Sequence, residues 1–346
     1  MADGYPGGST HVPLLELSGN LMVEFGRNLD KYPSNRYSRI TPVKNDYGTY
    51  LRFNPLDLAR SSNIPNDGLW APGTARPVYT DQTLGFEPKT FRTTRYNYGK
   101  PLDKRGVDLA NWPLMKMETD ALAQQAITVR SYKVATALFN TANYAASHVF
   151  SATTANGAGF TQDGTTADPR IKRTLDYGAR IIQQDTMGRV RHNNLCLVIN
   201  HNTALRWSAV REIREYLMQH AEAWKMITGD RTGNYNAAYG LPATLYGYTL
   251  IVDDTFYNTH NPGATSPTPS VVVPDNKAVL CLAEGEQESV EGGKSFNTVH
   301  VFSYEEFNVE SFEDVKSRVT EINVAMDYAV EVVAPVTACV IENLFS

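Results

Sequence analysis

From Ile322 to Val332 the residues alternate. Ile322, Val324, Met326, Tyr328, Val330 and Val332 lie on one side, and Asn323, Ala325, Asp327, Ala329 and Glu331 on the other. Period two predicts a strand with one buried face, ~36 Å long. The upstream run TVHVFSYEEF is its natural antiparallel partner. A helical period governs Leu114 to Tyr144, where Ala123, Ile127, Val134, Leu138 and Ala142 share a face. That predicts a helix of about 45 Å, suited to a strut. A third pattern fills Thr166 to Asn200. Asp168 is the expected N-cap, and Pro169 takes the first helical position, where its missing N–H costs nothing. Ile171, Leu175, Ala179 and Ile182 form the buried stripe, Gly188 ends the helix, and Leu195 to Ile199 read as a buried strand. A second helix is expected with Leu205, Ala209, Ile213 and Leu217 in step.

The remaining segments are less regular. Met1 to Asp46 reads as an arm with one short helix in LLELSGNLMVEF, outside the core. Tyr47 to Lys104 reads as a long hairpin excursion, with GTYLRFN as one strand and LGFEPKTFRTTRYNYG as the other. Asn66-Asp67-Gly68 and Pro72-Gly73 supply turns between them. This hairpin holds so few aliphatic residues that it must lie against something else, a neighbouring subunit being one candidate. Ser147 to Thr166 reads as a polar loop. Gly229 to Pro274 is loop-rich, with a strand in LYGYTLIVD and a Pro/Gly/Ser/Thr surface loop in THNPGATSPTPS, and KAVLCLAEGE is a further buried strand.

Composition narrows the class. The 346 residues are 42% hydrophobic and 20% charged, with a net charge of −5. That is an ordinary folded chain and no polyanion binder as a whole. The three cysteines, Cys196, Cys281 and Cys339, sit in apolar runs without CxxC spacing and read as buried, reduced core residues. No stretch approaches the ~20 apolar residues of a membrane span, and MADGYPGGSTHVPLL has neither part of a secretory signal.

The chemistry expected of an enzyme is sparse. Glu291-Gly292-Gly293-Lys294-Ser295 approaches a phosphate loop, but Glu288 stands where the first glycine belongs and a strand-like run follows. There is no GxSxG and no GxGxxG after a strand. The seven histidines never occur at HxxxH or HxxH spacing, so no metal site is indicated. His220 reads as structural. Asp253 and Asp254 end a strand and read as turn caps ahead of catalytic carboxylates. Glu284, Glu286, Glu288 and Glu291 read as a solvated acidic loop. Arg170, Arg173 and Arg180 form a basic helix face, read as solvated or as a contact for an acidic neighbour, ahead of nucleic acid. Nineteen tyrosines favour a protein that meets other proteins.

The order of these parts resembles the major capsid proteins of tailed bacteriophages, the HK97-like fold shared with encapsulins. YLRFNPLD and PGTARPVYTDQTLGFEPKTFRTTRYNYGKPLD resemble the extended loop, or E-loop, and its return. ALAQQAITVRSYKVATALFNTANY resembles the spine helix of the peripheral domain. TADPRIKRTLDYGARI with HNNLCLVINHNTALRWSAVREI resembles the approach to the axial domain, and DVKSRVTEINVAMDYAVEVVAPVTACVIENLF the late peripheral strand and its return. Together they cover well over half the chain, and no single motif is diagnostic.

The resemblance implies an α+β HK97-like fold with a mixed sheet and helices in its axial domain. It implies an N-terminal arm over 1–46, an E-loop over 47–104, a peripheral domain over 105–185 and 296–333, and an axial domain over 186–295 and 334–346. It further implies hexamers and pentamers that build an icosahedral shell around double-stranded DNA, in a virion assembled in the bacterial cytoplasm. Partners would be other copies of the chain, with scaffold, portal and decoration proteins, and DNA held by non-specific contact. A modestly acidic subunit would let that DNA slide without sticking. No cofactor, metal, membrane or catalytic residue is implied. Trp70, Arg76, Tyr79, Arg92 and Arg95 are the intersubunit contact candidates. With an arm so near Met1, a cleaved scaffolding segment is not expected, which leaves a separate scaffold or none. Lys89 and Asn66 lie where some relatives cross-link, with nothing marking them as reactive. Two rivals remain: an encapsulin-type compartment, against which the Gly229 to Pro274 region argues mildly, and a soluble α+β enzyme using Asp253, Asp254, His201 and His220.

Overall fold

The computed structural model describes residues 32–53, 72–73, 86–110, 113–152, 170–188, 190–219, 235–236, 239–259, 266, 268–283, 297–314 and 317–345. In chain order the strands are β1 (Ser38–Pro42), β2 (Tyr47–Phe53), β3 (Phe86–Arg92), β4 (Thr94–Asp103), β5 (Val149–Ser151), β6 (Leu195–Asn200), β7 (Tyr235–Asn236) and β8 (Leu241–Pro242). They continue with β9 (Thr244–Leu245), β10 (Tyr248–Asp253), β11 (Phe256–Asn258), β12 (Pro269–Val271), β13 (Lys277–Leu282), β14 (Val299–Asp314), β15 (Val319–Val332) and β16 (Cys339–Glu342). The helices are α1 (Ser34–Tyr37), α2 (Lys104–Leu109), α3 (Leu114–Phe139), α4 (Arg170–Asp185), α5 (His201–Ala209) and α6 (Arg211–Gln219).

Two sheets carry the architecture, so the α+β class expected from the sequence stands. A four-stranded sheet has the order β1-β14-β15-β4, and a mixed six-stranded sheet the order β5-β16-β13-β6-β10-β9. In the six-stranded sheet β6 and β10 run parallel, while β13 is antiparallel to both β6 and β16. Its strands are buried on both faces. Cys196, Val198, Val279, Cys281 and Val340 point into one cluster with α3 and the four-stranded sheet. Leu195, Leu197, Ile199, Leu280 and Ile341 point into a second, with Ile171, Leu175, Ala179 and Ile182 of α4 and Trp207 of α5. Each large side chain so buried contributes roughly 1.5–3 kcal/mol. All three cysteines are free and buried, as their apolar settings predict.

The alternating segment is β15, antiparallel to β14 as expected, from Val299↔Val332 to Asp314↔Val319. Its even-numbered residues from Ile322 to Val332 all join the cluster on α3. Gly188 ends α4 in the left-handed conformation, with φ 74°, and its N–H donates to the Gln183 carbonyl at 2.8 Å. Asp168 and Pro169 lie outside the described residues.

Four expectations need correction. The long helix stops at Phe139, because Asn140 leaves helical geometry and its side chain accepts from the Ala142 N–H, starting a 3-10 turn that leaves Ala142 exposed. The helix after β6 breaks at Val210, which is extended (φ −70°, ψ 136°). Ala204, Trp207, Val210 and Ile213 are therefore the buried residues, and Leu205 and Ala209 face outward. The segment read as a polar loop begins with β5, which pairs in parallel with β16. The hairpin return is two strands, not one, split at Thr93: β3 pairs with β2, and β4 with β15.

The segment read as an arm outside the core also enters it. β1 adds in parallel to β14 from Ser38↔Val299 to Pro42↔Ser303. Tyr37 is fully buried and its hydroxyl donates to Asp253 Oδ2 at 2.8 Å. The LLELSGNLMVEF patch lies outside the described residues.

Tyr37 thus fills a core site and satisfies a buried carboxylate. Tyr37→Phe removes only the donor and should cost about 1–3 kcal/mol. Tyr37→Ala adds a cavity and should cost about 3–5 kcal/mol. Urea unfolding of the three proteins checks the order and the spacing.

His300 pairs with Arg39 at the β1–β14 junction, and its Nδ1 lies 3.1 Å from the Thr41 hydroxyl. Burial, with Arg39 adding to it, lowers the ring from its usual 6.5 to about 4. The unfolded chain binds the proton more readily, so this contribution is whole above pH 6.5 and falls as pH drops towards 4. Each unit in that window is worth about 1.4 kcal/mol at most. Chemical denaturation of the parent and His300→Gln at stepped pH should show a shallower acid loss in the variant. Parallel profiles would count against it.

Candidate functional site

The base of the hairpin is held by its own chain. Phe91 of β3 stacks on Phe302 of β14, with ring centroids 4.3 Å apart and planes at 9°. Ala329 and Val333 close this small cluster, and Tyr50 packs against it. Gly48 is required opposite Phe91, since a Cβ there would sit 2.8 Å from the ring. Arg52 donates to the Asn143 carbonyl at 3.0 Å, tying β2 to the turn after α3. The hairpin therefore leaves the body at a fixed point, although among the described residues its two strands pair only with each other.

Beneath this base lies a cleft of about 680 Å³ between β2–β3, α3 and β15. Among the described residues its charged lining is Arg52, Lys89, Arg92 and Lys133 against one carboxylate, Glu331. Glu331 accepts from the Tyr50 hydroxyl at 3.3 Å. Burial nevertheless raises its pKa, against the opposing effects of Tyr50 and Arg52. Lys133 donates to the Tyr96 hydroxyl at 2.8 Å and sits 4.4 Å from that ring's centroid. The cleft exists because β4 pairs with β15 only as far as Tyr328↔Thr94. The β15 edge from Ala329 to Val332 is left without a strand on that side among the described residues.

A second open edge lies on the far margin. β1 covers β14 only to Ser303, and among the described residues the outer half of β14 pairs with β15 alone. Tyr304, Val309 and Phe312 on this stretch are each more than half exposed. Glu305, Glu306, Glu310 and Glu313 make it acidic. Arg95 lies 3.6 Å from Glu305 and Arg130 3.8 Å from Glu306, while Lys104 pairs with Glu313.

Of the five contact candidates, Arg92 lines the cleft and Arg95 pairs within the chain with Glu305. Trp70, Arg76 and Tyr79 lie outside the described residues, as do Asn66, His220 and the acidic run from Glu284 to Glu291. Lys89 lines the cleft. Arg173 and Arg180 are exposed on α4, and Arg180 lies over Tyr177, 5.4 Å from its centroid.

The rival catalytic residues are partly gathered. Asp253 pairs with Asn200, the residue before His201, so both reach one end of the six-stranded sheet. Asp253 is 2% exposed, however, and its oxygens accept from Tyr37 and from the Thr255 N–H at 2.9 Å, the cap the sequence suggested. Asp254 accepts from Tyr239, and His201 packs on Phe256.

A Cys–His–Asp set went unseen in the sequence because its members are far apart. His148 Nδ1 donates to the Ala338 carbonyl and Nε2 meets Asp185 Oδ2, both at 2.7 Å, with Cys339 Sγ 3.4 Å from Nδ1. Cys339 is fully buried, and burial pushes its thiol well above the usual range. A thiol held protonated and sealed is no nucleophile. The set ties the end of α4 to the turn before β16. Among the described residues no group of three or more His, Cys, Asp and Glu side chains could hold a metal.

No family model and no curated protein sequence matches the chain. Solved structures do. A phage-related protein from Bordetella bronchiseptica RB50 matches at 12% identity and TM-score 0.55, over 92% of this chain and 93% of that one. The mature capsid of bacteriophage PhiM1 matches at 11% identity and TM-score 0.55, over 94% and 90%. The capsid of a native GTA particle matches at 10% identity and TM-score 0.55, over 94% and 93%. The chain has the fold of phage capsid subunits. In this chain the hairpin base, the cleft and the outer β14 edge lie at the surface, and the polar clusters around Asp253 and His148 hold elements together.

Replacing Gly48 by Ala should unseat Phe91 and cost about 1–3 kcal/mol. Hydrogen exchange should speed up in β2 and β3 and stay unchanged in β6 and β13. Uniform protection in parent and variant would contradict this role for Gly48.

Proposed function

We propose that this protein is the major capsid protein of a tailed bacteriophage, a structural subunit without a catalytic role. Copies of it assemble as hexamers and pentamers into an icosahedral shell that encloses double-stranded DNA. The observation that carries the reading is the match, end to end in both chains, to subunits of a mature phage capsid. The hairpin supports it independently. Its base is anchored by Phe91 and Phe302, but two paired strands with few aliphatic residues need a further surface.

In this reading residues 1–46 are the N-terminal arm, which ends in β1 of the four-stranded sheet, and 47–104 the E-loop, which returns through β4 into the same sheet. Residues 105–185 with 296–333 form the peripheral domain, and 186–295 with 334–346 the axial domain. Trp70, Arg76, Tyr79, Arg92 and Arg95 contact the neighbouring subunit. Scaffold, portal and decoration proteins join the shell in the bacterial cytoplasm, and the DNA is held without sequence preference.

Electron microscopy of the purified chain tests this reading. Shells, tubes, or rings of five or six subunits are expected, and a chain that stays monomeric at high concentration would refute it. Replacing residues 56–83 with a short Gly-Ser turn should leave a folded chain that forms no closed shells. Normal shells from that variant would remove the hairpin from the mechanism.

A further inference from the structure

The four-stranded sheet ends in two open edges of opposite character, on opposite margins. On the β14 margin, register shifts between Ser303 and Glu305 and between Glu305 and Asn308 mark bulges. Bulges blunt an edge against pairing. From Asn308 onward the register is regular again, so Asn308–Glu313 is a straight edge with no covering strand among the described residues, carrying Val309, Glu310, Phe312 and Glu313. Glu310 accepts from the Asn308 amide at 2.8 Å and has no cation in ion-pair reach among the described residues. On the β15 margin, Ala329–Val332 is open where β4 has ended, inside a cleft lined, among the described residues, by four cations and one carboxylate.

These edges suit each other in charge and in backbone, and one chain cannot join them. The order β1-β14-β15-β4 places β14 and β15 side by side with the two open stretches facing away from each other. Two copies can join them.

We propose that Asn308–Glu313 of one copy enters the cleft of a second copy and adds as a strand to Ala329–Val332. This rests on the shell reading and names the surfaces by which neighbouring copies meet. Glu310 then faces Arg92, which is exposed at the end of β3, and Phe312 reaches the tyrosine rings of the cleft. Main-chain hydrogen bonds hold the strand and the charges set its position. The contact is head to tail, because donor and acceptor are different surfaces. A head-to-tail contact closes into a ring when its rotation allows, which is the form that five or six subunits around a point require.

A charge exchange tests it. Arg92→Glu and Glu310→Lys each place like charges in the contact. Each should raise the concentration at which half of the chain sediments as oligomer by about tenfold or more. The double variant should return to the parent value. Singles that assemble like the parent overturn the proposal while the shell reading stands. So does a double variant as impaired as the singles, which would mean that the cleft takes some other partner. A parent that never leaves the monomer overturns both.

Discussion

Strand β15 has to satisfy two faces and two edges at once, and the rest of the structure follows from how it does so. One face gives Ile322, Val324, Met326 and Tyr328 to the cluster on α3, which fixes where the long helix runs. The other face is built of small residues near its end, and Ala329 leaves room for Phe302 and Phe91 to stack. That stack sets where the hairpin leaves the body. Along one edge β14 pairs to the very end, while along the other β4 stops at Tyr328. The chain turns at Thr93 into β3 at this point, so the hairpin and the cleft beside it share one origin.

The regular elements were legible because burial imposes a period. A strand with one buried face must alternate, and a helix against a sheet must repeat near 3.6, as β15 and α4 do. Errors gathered where local geometry overrides the pattern. Ala142 continues the apolar stripe of α3, yet the Asn140 side chain ends the helix two residues earlier. Leu205 and Ala209 keep step on paper, but Trp207 is the residue that goes inside, and the helix breaks at Val210. Neither a capping hydrogen bond nor a break of this kind has a signature in apolar spacing.

The surfaces were legible only in outline. Arg92 could be named as a contact from its place in the hairpin, but the cleft that it lines is assembled from β2, β3, α3 and β15. Tyr37 with Asp253, and His148 with Asp185 and Cys339, are likewise contacts between distant segments. A single sequence carries no record of such pairs. The net charge of −5 even misleads locally, since it conceals a cleft in which, among the described residues, cations outnumber carboxylates.

The two sheets differ in how far the chain completes them. The six-stranded sheet is covered on both faces, and the His148 side chain that ties α4 to the turn before β16 is buried. The four-stranded sheet is covered by α3 along one face, but among the described residues its β14 edge is completed only in its inner half, by β1. Its outer half projects three strands with exposed Tyr304, Val309 and Phe312 and an edge that only bulges interrupt. An edge of that kind is a hazard for a monomer, because any strand can pair with it. It is an asset for a subunit whose neighbours arrive in fixed orientation. In the proposed contact the acidic residues along it select among strands, refusing another acidic edge and accepting a basic cleft. Incomplete pairing in one sheet, set beside full burial in the other, is therefore the physical feature on which the proposed assembly rests.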